Sequence, residues 1–370
     1  MNAQQPEHFF FTLTKKYLKT DTAYLIKNGS WLFLSQGINS FTVLLLAVLF
    51  ANFVSPAAYG TYKYVIAVAG IVTAFSLTGM HTAVIQAVAR GYEGALRAGF
   101  KTSLTWGTII TTLSWAMALY YFIHDNQILA ISLFVVGIFQ PLIKSADLFD
   151  SYLKGKKQFK HSTYYYVVRN IIATLILILA LFLTDNPFWF VLAYFGSHAI
   201  LVLISYIHVI KSRTLSEKTD PHTIPYSKHL SAMNILNTIA THIDKVIVFQ
   251  FLGATQLAIY TFAIAIPEQI KVSLKSLYQL ALPKFSERKS TAEIKSTLGR
   301  KTLQLGIALT LVTFFYILIA PYIFNILFPQ YTDSIIFSQV FALSFLGLLS
   351  ILPLSALQAQ MEKKKLYQLN

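Results

Sequence analysis

The stretch "HIDKVIVFQFLGATQLAIYTF", residues 242–262, decides the fold of this chain. It consists of two apolar runs that meet at a short turn, "LGATQ". Uncharged runs of similar character recur along the chain, for example at 186–210 and 302–332. A transmembrane helix needs about 20 mainly apolar residues. The two runs therefore predict the facing ends of two membrane spans, although Asp244 and Lys245 stand side by side within the first.

The composition extends this interpretation to the whole chain. Of 370 residues, 55% are hydrophobic and only 12% are charged, and the mean hydropathy is +0.56. Soluble domains carry about 25% charged residues. We therefore predict an all-α polytopic membrane protein with ten transmembrane helices. The predicted spans are residues 30–53, 63–90, 100–123, 127–152, 163–184, 187–210, 229–251, 256–281, 302–327 and 334–360.

The residues before the first span are polar and basic, so they do not have the pattern of a cleaved signal peptide. We expect residues 1–29 to form an amphipathic segment at the cytoplasmic membrane surface. The chain has no cysteine, which excludes disulfides and thiolate metal sites. No metal-binding or phosphate-binding motif was found, so the sequence predicts neither a metal site nor a cofactor.

The positive charge lies in alternate connections. The net charge is +15, and most of the 30 Lys and Arg residues lie at the two ends of the chain and in the second, fourth, sixth and eighth connections. The other five connections contain none. Because Lys and Arg accumulate in cytoplasmic loops, we expect a multi-pass protein of the bacterial inner membrane with a cytoplasmic amino end. This placement accounts for most of the basicity without a nucleic-acid partner.

A weak internal repeat appears when the chain is shifted by about 198 residues. "FVSPAAYGTYKYVIA" (53–67) then aligns with "FLGATQLAIYTFAIA" (251–265). Spans seven to ten thus echo spans one to four, which predicts two parallel, pseudo-symmetric bundles. We expect a first bundle of six helices at 30–210, a cytoplasmic linker at 211–228, and a second bundle at 229–370. The second bundle would hold only four helices, so we expect either a truncated chain or an asymmetric protein, and we favour truncation.

Three motifs resemble those of a known family. "HIDKVIVFQFLGATQLAIY" resembles the second-half signature of Wzx-type oligosaccharide and polysaccharide flippases. "VSPAAYGTY" (54–62) is similar to that family's first periplasmic turn, and "LALPKFSE" (280–287) to the segment that closes its eighth span. The family belongs to the multidrug/oligosaccharidyl-lipid/polysaccharide exporter superfamily, with the MATE antiporters and MurJ as relatives. Its members usually have at least twelve spans in two six-helix bundles.

The resemblance implies a flippase that is not an enzyme. Its cargo would be a polyprenyl-diphosphate-linked oligosaccharide, such as the repeat unit of O-antigen, capsule or another exopolysaccharide. The cargo would move from the cytoplasmic to the outer leaflet by alternating access. Implied partners are this lipid-linked oligosaccharide, the lipid bilayer and other polysaccharide-assembly proteins.

Charges inside predicted spans mark candidate site residues, because ionisable residues in spans usually face a wet interior. An anionic cargo needs cations, so we expect the diphosphate or acidic sugars to bind the basic side chains within the spans. These are Lys271, Lys275, Arg169, Lys144 and Lys245. A second set of residues is expected to line the cavity or couple transport to an ion: Asp244, Glu268, Asn234, Asn237, Thr241, Gln36 and Asn39.

Several of these residues have structural alternatives. Asp244 and Lys245 can neutralise each other, and Glu268 can pair with Lys271 along one helix face. Lys144 can pair with Asp147, and Arg169 can extend to the cytoplasmic interface. The histidines at 81, 198 and 242 can titrate near neutral pH or simply make polar contacts.

Two other functions stay open at this point. One is a MATE-like cation-coupled antiporter of drugs or small molecules, whose cavity should be acidic. The other is a membrane glycosyltransferase or polymerase, which would need acidic residues outside the membrane. Asp125, Asp185 and Asp333 are the only candidates for that role.

Overall fold

The computed structural model describes residues 22–279 and 291–350, and all secondary structure in these ranges is helical. The α-helices are α1 (Thr22–Phe53), α2 (Pro56–Ala74), α3 (Met80–Ala89), α4 (Ala95–Ile123), α5 (Gln127–Ala146), α6 (Leu148–Gly155), α7 (Phe159–Leu183), α8 (Pro187–Lys211), α9 (Thr223–Ala240), α10 (Ile243–Leu252), α11 (Ala254–Gln279), α12 (Thr291–Leu327) and α13 (Ser334–Ala342). Short 3-10 helices cover Pro329–Tyr331 and Leu343–Ser350. The amphipathic segment expected at 1–29 lies mostly outside the described residues.

Eight helical segments of the described chain are long and apolar enough to cross a membrane. They are Leu34–Phe53, Ala95–Ile123, Gln127–Gly155, Phe159–Leu183, Pro187–Lys211, Thr223–Leu252, Ala254–Leu274 and Thr302–Leu327. Each corresponds to one of the ten predicted spans. The predicted all-α polytopic membrane fold is confirmed.

The second predicted span, 63–90, differs from the single helix that was expected. It is divided into α2 and α3 by an interruption at residues 75–79. Gly79 lies against α9, where its N–H donates to the Ser231 hydroxyl at 2.9 Å. A Cβ on Gly79 would lie 2.6 Å from the Ser227 carbonyl oxygen. The interruption therefore depends on a helix about 150 residues away in the chain, which local sequence does not reveal.

The tenth predicted span, 334–360, is also not one continuous α-helix in its described part. The nine-residue helix α13 is followed by a 3-10 segment up to Ser350. The rest of this predicted span lies outside the described residues.

The chain falls into two compact units. Unit 1 comprises the described residues up to Leu46 together with Thr61–Gln250, and unit 2 comprises Ala47–Gly60 together with the described residues from Phe251 onward. The predicted division into bundles at 30–210 and 229–370 stays a prediction.

In unit 1 the short helices that follow interruptions pack together. Helix α3 packs on α6 and on α9. The contact with α6 is close, since a Cβ on Gly155 would lie 2.8 Å from Val88 Cβ. The longer helices pack as neighbours in the pairs α4–α5, α5–α8 and α7–α8. A buried apolar cluster that includes Met80, Phe149 and Val209 joins these segments.

In unit 2 aromatic rings form much of the core. The ring of Phe262 stacks on Tyr59 at a centroid distance of 4.5 Å and contacts Tyr331 at 4.2 Å. Close packing at the turn between α10 and α11 requires Gly60, because a Cβ there would lie 1.8 Å from the Ala254 carbonyl oxygen. Helix α2 begins at Pro56 and α11 at Ala254, so the two helix starts are 198 residues apart, as the internal repeat predicts.

The second, fourth and sixth connections meet at one end of unit 1. Lys156 pairs with Glu93 at 2.5 Å, and Glu93 also accepts a hydrogen bond from the Ser216 backbone N–H at 3.3 Å. Arg90 pairs with Asp220 at 2.6 Å. These contacts place three of the basic connections together, as the charge alternation predicts. The side of the membrane that this end faces stays a prediction.

We predict that replacing Gly79 with Val lowers stability by about 2 kcal/mol, because the new side chain must displace the backbone of α9. The measurement is thermal unfolding in detergent micelles. Gly37→Ala is the matched control, since a Cβ on Gly37 meets no atom within 4 Å. Equal unfolding temperatures for wild type and Gly79→Val would contradict the close packing.

A second prediction concerns pH at the meeting point of the connections. The Lys156 ammonium holds the pKa of Glu93 below its usual value. The Glu93–Lys156 ion pair therefore stabilises the fold above the unfolded-state pKa of Glu93, about 4.3. This stabilisation is lost as pH falls through the lowered pKa of Glu93 in the folded protein. We expect Glu93→Gln to cost up to about 1 kcal/mol at pH 7 and progressively less in acid.

Unfolding temperatures measured at several pH values check this, with the exposed Glu217→Gln as control. A Glu93→Gln effect that stays constant down to pH 3 would count against the ion pair.

Candidate functional site

Two acidic residues within the spans of unit 1 lie at helix interruptions. Asp147 is the single residue between α5 and α6. Asp244 lies in the first turn of α10, directly after the interruption at residues 241–242. A carboxylate is favourable at a helix N-terminus because it complements the helix dipole. The two aspartates therefore lie at interruptions of the helices, where backbone N–H groups need partners.

Asp147 forms an ion pair with Arg169 of α7. Arg169 Nη1 lies 2.9 Å from Asp147 Oδ1, and the two side chains are 18% and 36% exposed. The guanidinium also lies over the Phe149 ring, 5.0 Å from its centroid. Arg169 Nε is buried and has no hydrogen-bond partner within the described chain. The Arg169 side chain is therefore largely buried, and its Nε–H is unused within the described chain.

The Asp147 carboxylate is surrounded by basic groups. It interacts electrostatically with Arg169, His81 and Lys144. His81 itself lies 3.1 Å from the Ser151 hydroxyl through Nδ1. The pairing of Asp147 with Lys144 that the sequence suggested is an electrostatic interaction only, because the ion pair is made with Arg169.

Lys144 lines a cavity of about 210 Å³ within unit 1. The other lining residues are Ile66, Ala69, Gly70, Gln140, Ile143, Tyr194, Phe195, His198 and His242. His198 donates through Nδ1 to the Tyr194 carbonyl oxygen at 2.8 Å. Lys144 forms no ion pair within the described residues, so its ammonium is available to a ligand. We call this the Lys144 cavity.

Asp244 and Lys245 pair with each other. Lys245 Nζ lies 3.1 Å from Asp244 Oδ2 and 3.4 Å from the Thr241 carbonyl oxygen. The structure thus shows the mutual neutralisation that the sequence offered as an alternative. Lys245 also helps to satisfy the carbonyl at the end of α9.

The polar stripe predicted on span seven lies on exposed surface of α9. Asn234, Asn237 and Thr241 are all exposed. Thr241 donates to the Thr238 carbonyl oxygen at 2.7 Å. The side-chain amides of Asn234 and Asn237 have no partner in the part of the chain that the structure describes.

Gln36 and Asn39 of α1 line a second small cavity of unit 1, together with residues of α6 and α7. Asn39 accepts a hydrogen bond from the Tyr166 hydroxyl at 2.7 Å. The sequence predicted polar cavity roles for both residues but did not identify their neighbours on α6 and α7.

In unit 2, Glu268 and Lys271 lie on α11. Glu268 is exposed and Lys271 is partly exposed. Among the described residues they make no ion pair, so the intrahelical pairing considered for them is not observed. The side chain of Lys275 lies outside the described residues.

A polar cluster near the short, uncharged connections was not foreseen. The Tyr64 and Tyr121 hydroxyls lie 2.6 Å apart, and the Gln250 amide donates to both at 2.8 and 2.5 Å. The Phe249 ring stacks on Tyr64 at 3.9 Å. This Tyr64–Tyr121–Gln250 cluster ties the end of α10 to α2 and α4.

No group of three or more His, Cys, Asp or Glu side chains in the described ranges could hold a metal ion. Among the described ionisable residues of the unit 1 spans, Asp147 pairs with Arg169, Asp244 pairs with Lys245, and Lys144 lines a small cavity. The fold and these charges define a polytopic α-helical membrane protein with polar groups at the interruptions of its spans.

The sequence matches a known protein family over most of its length. A family model described as "Polysaccharide biosynthesis protein" matches residues 25–289, which is more than half of the chain. The chain belongs to this family, which comprises Wzx-type polysaccharide flippases and related exporters. Family members are flippases or transporters and not enzymes, which supports a polysaccharide-related transport role in general. No curated protein sequence matches the chain.

We predict that Asp147 and Arg169 are energetically coupled. Asp147→Asn should cost about 2 kcal/mol because it leaves a partly buried guanidinium without its counter-charge. Arg169→Gln added to it should cost little more, so the double-mutant cycle should give about 1 kcal/mol or more of coupling. Unfolding temperatures of the four proteins in detergent provide the measurement. Asp147→Asn combined with Lys101→Gln should be additive, and additivity in both cycles would show that the ion pair is unimportant.

Proposed function

We propose that the chain is a flippase for polyprenyl-diphosphate-linked oligosaccharide. It moves the cargo from the cytoplasmic to the outer leaflet by alternating access. The protein works in the bacterial inner membrane with its amino end in the cytoplasm. The lipid-linked oligosaccharide is its cargo, and other polysaccharide-assembly proteins are its partners.

The supporting observation is the presence of unpaired cations within apolar spans. Lys144 in unit 1 and Lys271 in unit 2 form no ion pair within the described residues. A charge near the bilayer centre costs about 3 kcal/mol on insertion scales, so it is retained where it has a function. A diphosphate is the anionic part of the proposed cargo, and an ammonium group binds phosphate oxygens by charge-assisted hydrogen bonds.

Arg169 adds a donor of a different kind. Its buried Nε–H is unused within the described chain, and its Nη1 is held by Asp147 at 2.9 Å. A guanidinium can bind two phosphate oxygens in parallel. Lys245 is paired with Asp244, so we assign it a weaker contribution to diphosphate binding than that of Arg169. The amides of Asn234 and Asn237, exposed on α9, are available to hydrogen-bond sugar hydroxyls.

We predict that the double variant Lys271→Ala, Lys275→Ala stops export of surface glycan, because the cargo then loses two cations. The measurement is surface glycan by immunoblot, alongside the amount of the protein in the membrane fraction. Lys101→Ala, Lys211→Ala removes two exposed cations outside the proposed site and should leave export unchanged. Normal export by the Lys271/Lys275 variant at normal abundance would refute the role of these residues.

A further inference from the structure

A small cavity of about 190 Å³ lies within unit 1 among α1, α6 and α7. All eight residues that line it are polar, in contrast to the lining of the Lys144 cavity. They are Ser35, Gln36, Asn39, Asp150, Lys154, Ser162, Thr163 and Tyr166. We call it the polar cavity. A space with such a lining suits water or a hydrophilic ligand, because unsatisfied polar groups are costly when they are buried.

The lining is partly committed to internal bonds. Lys154 pairs with Asp150 at 2.6 Å, and the Ser162 hydroxyl also donates to Asp150. The Tyr166 hydroxyl donates to Asn39 Oδ1 at 2.7 Å. These bonds fix the orientation of the walls, which is the preorganisation that a binding site needs.

Other polar groups of the lining are not committed. Because Asn39 Oδ1 accepts from Tyr166, its amino group points away with two donors. This amino group and the entire Gln36 amide have no hydrogen-bond partner within the described chain. Gln36 can both donate and accept, and Asp150 retains lone pairs beyond its two bonds. The cavity therefore offers donors and acceptors side by side.

The charge balance decides which part of the cargo fits. Asp150 neutralises Lys154, so the polar cavity has no excess positive charge and is a poor site for a diphosphate. Hydroxyl groups, which donate and accept, match its lining. Its volume corresponds to about six water molecules, which suits one sugar ring and not an oligosaccharide. We propose that the polar cavity binds a single sugar ring of the lipid-linked cargo, an inference that rests on the proposed function.

The location is consistent with cargo entry. Lys154 and Ser162 lie within about one turn of the connection at 156–158. That connection contributes Lys156 to the end of unit 1 where the basic connections meet. A sugar reaching the polar cavity would therefore arrive from the predicted cytoplasmic end.

The experiment uses the absence of cysteine from the chain. Ser35→Cys places one thiol in the wall of the polar cavity, and its reaction with a maleimide is followed in membrane vesicles. The probes are lipid-linked glycan extracted from the source membranes and, as a sugar-free match, polyprenyl diphosphate. We expect the glycolipid to slow labelling and the sugar-free lipid to leave it unchanged.

Two further variants separate binding from structure. Gln36→Met removes an amide that makes no internal bond, so folding should be unaffected, whereas the concentration of glycolipid needed for protection should rise about fivefold. Asn170→Leu is the matched control. It removes an amide of the same α1–α7 interface, bonded to Thr42 at 2.9 Å, that does not line the cavity. Protection in this control should equal that of the parent.

The outcomes distinguish the two proposals. Equal protection by sugar-free lipid, or unchanged protection in Gln36→Met, would overturn the sugar site while leaving the flippase proposal intact. If the vesicles also fail to move the glycolipid across the bilayer, the flippase proposal itself is wrong. Sugar-dependent protection that Gln36→Met weakens and Asn170→Leu does not would establish the site.

Discussion

Hydrocarbon cannot hydrogen-bond a peptide group, and this constraint organises the rest of the structure. A continuous helix satisfies its own backbone, so any interruption within a span must be satisfied by side chains. At residues 75–79 the Ser76 hydroxyl donates to the Thr73 carbonyl oxygen at 2.7 Å, and Ser231 accepts from the Gly79 N–H. At 241–242 Thr241 and Lys245 donate to the carbonyls that end α9. Two candidate site residues, Thr241 and Lys245, are therefore needed by the fold before any cargo is considered.

The sequence predicted the features that depend on hydropathy and charge counts. Eight of the ten predicted spans correspond to long apolar helices, and three of the basic connections come together at one end of unit 1. Both features follow from local composition, because partition into lipid and exclusion of Lys and Arg from it act residue by residue. The interruption at 75–79 could not be predicted in this way. "FSLTG" contains no proline, and its bond to Ser231 is a tertiary contact.

The sequence predicted which charged residues belong to the candidate site but not which of them form ion pairs with each other. Lys144, Arg169 and Asp147 are conspicuous in the sequence because they interrupt apolar runs, yet their spacing suggested an Asp147–Lys144 pair. The observed Asp147–Arg169 pair joins α7 to the α5–α6 junction and depends on how these helices pack. The Tyr64–Tyr121–Gln250 cluster was missed because tyrosine and glutamine near span ends are common. Only the packing shows that their polar groups converge.

The two small cavities of unit 1 differ in chemistry in a way that parallels the proposed cargo. The Lys144 ammonium makes no ion pair with any described residue, whereas Asp150 and Lys154 of the polar cavity neutralise each other. The Tyr166 hydroxyl borders the polar cavity, whereas Lys144 lies three residues before Asp147 at the α5–α6 junction.

Arg169 follows Tyr166 by three residues on α7, so the two side chains share a helix face. Asp147 in turn interacts electrostatically with Lys144. Tyr166 and Arg169 thus place a wall of the polar cavity and the Asp147–Arg169 ion pair on one face of α7. A sugar and the diphosphate attached to it are covalent neighbours, so a site for the intact headgroup requires such an adjacency of hydroxyl-binding and cationic groups.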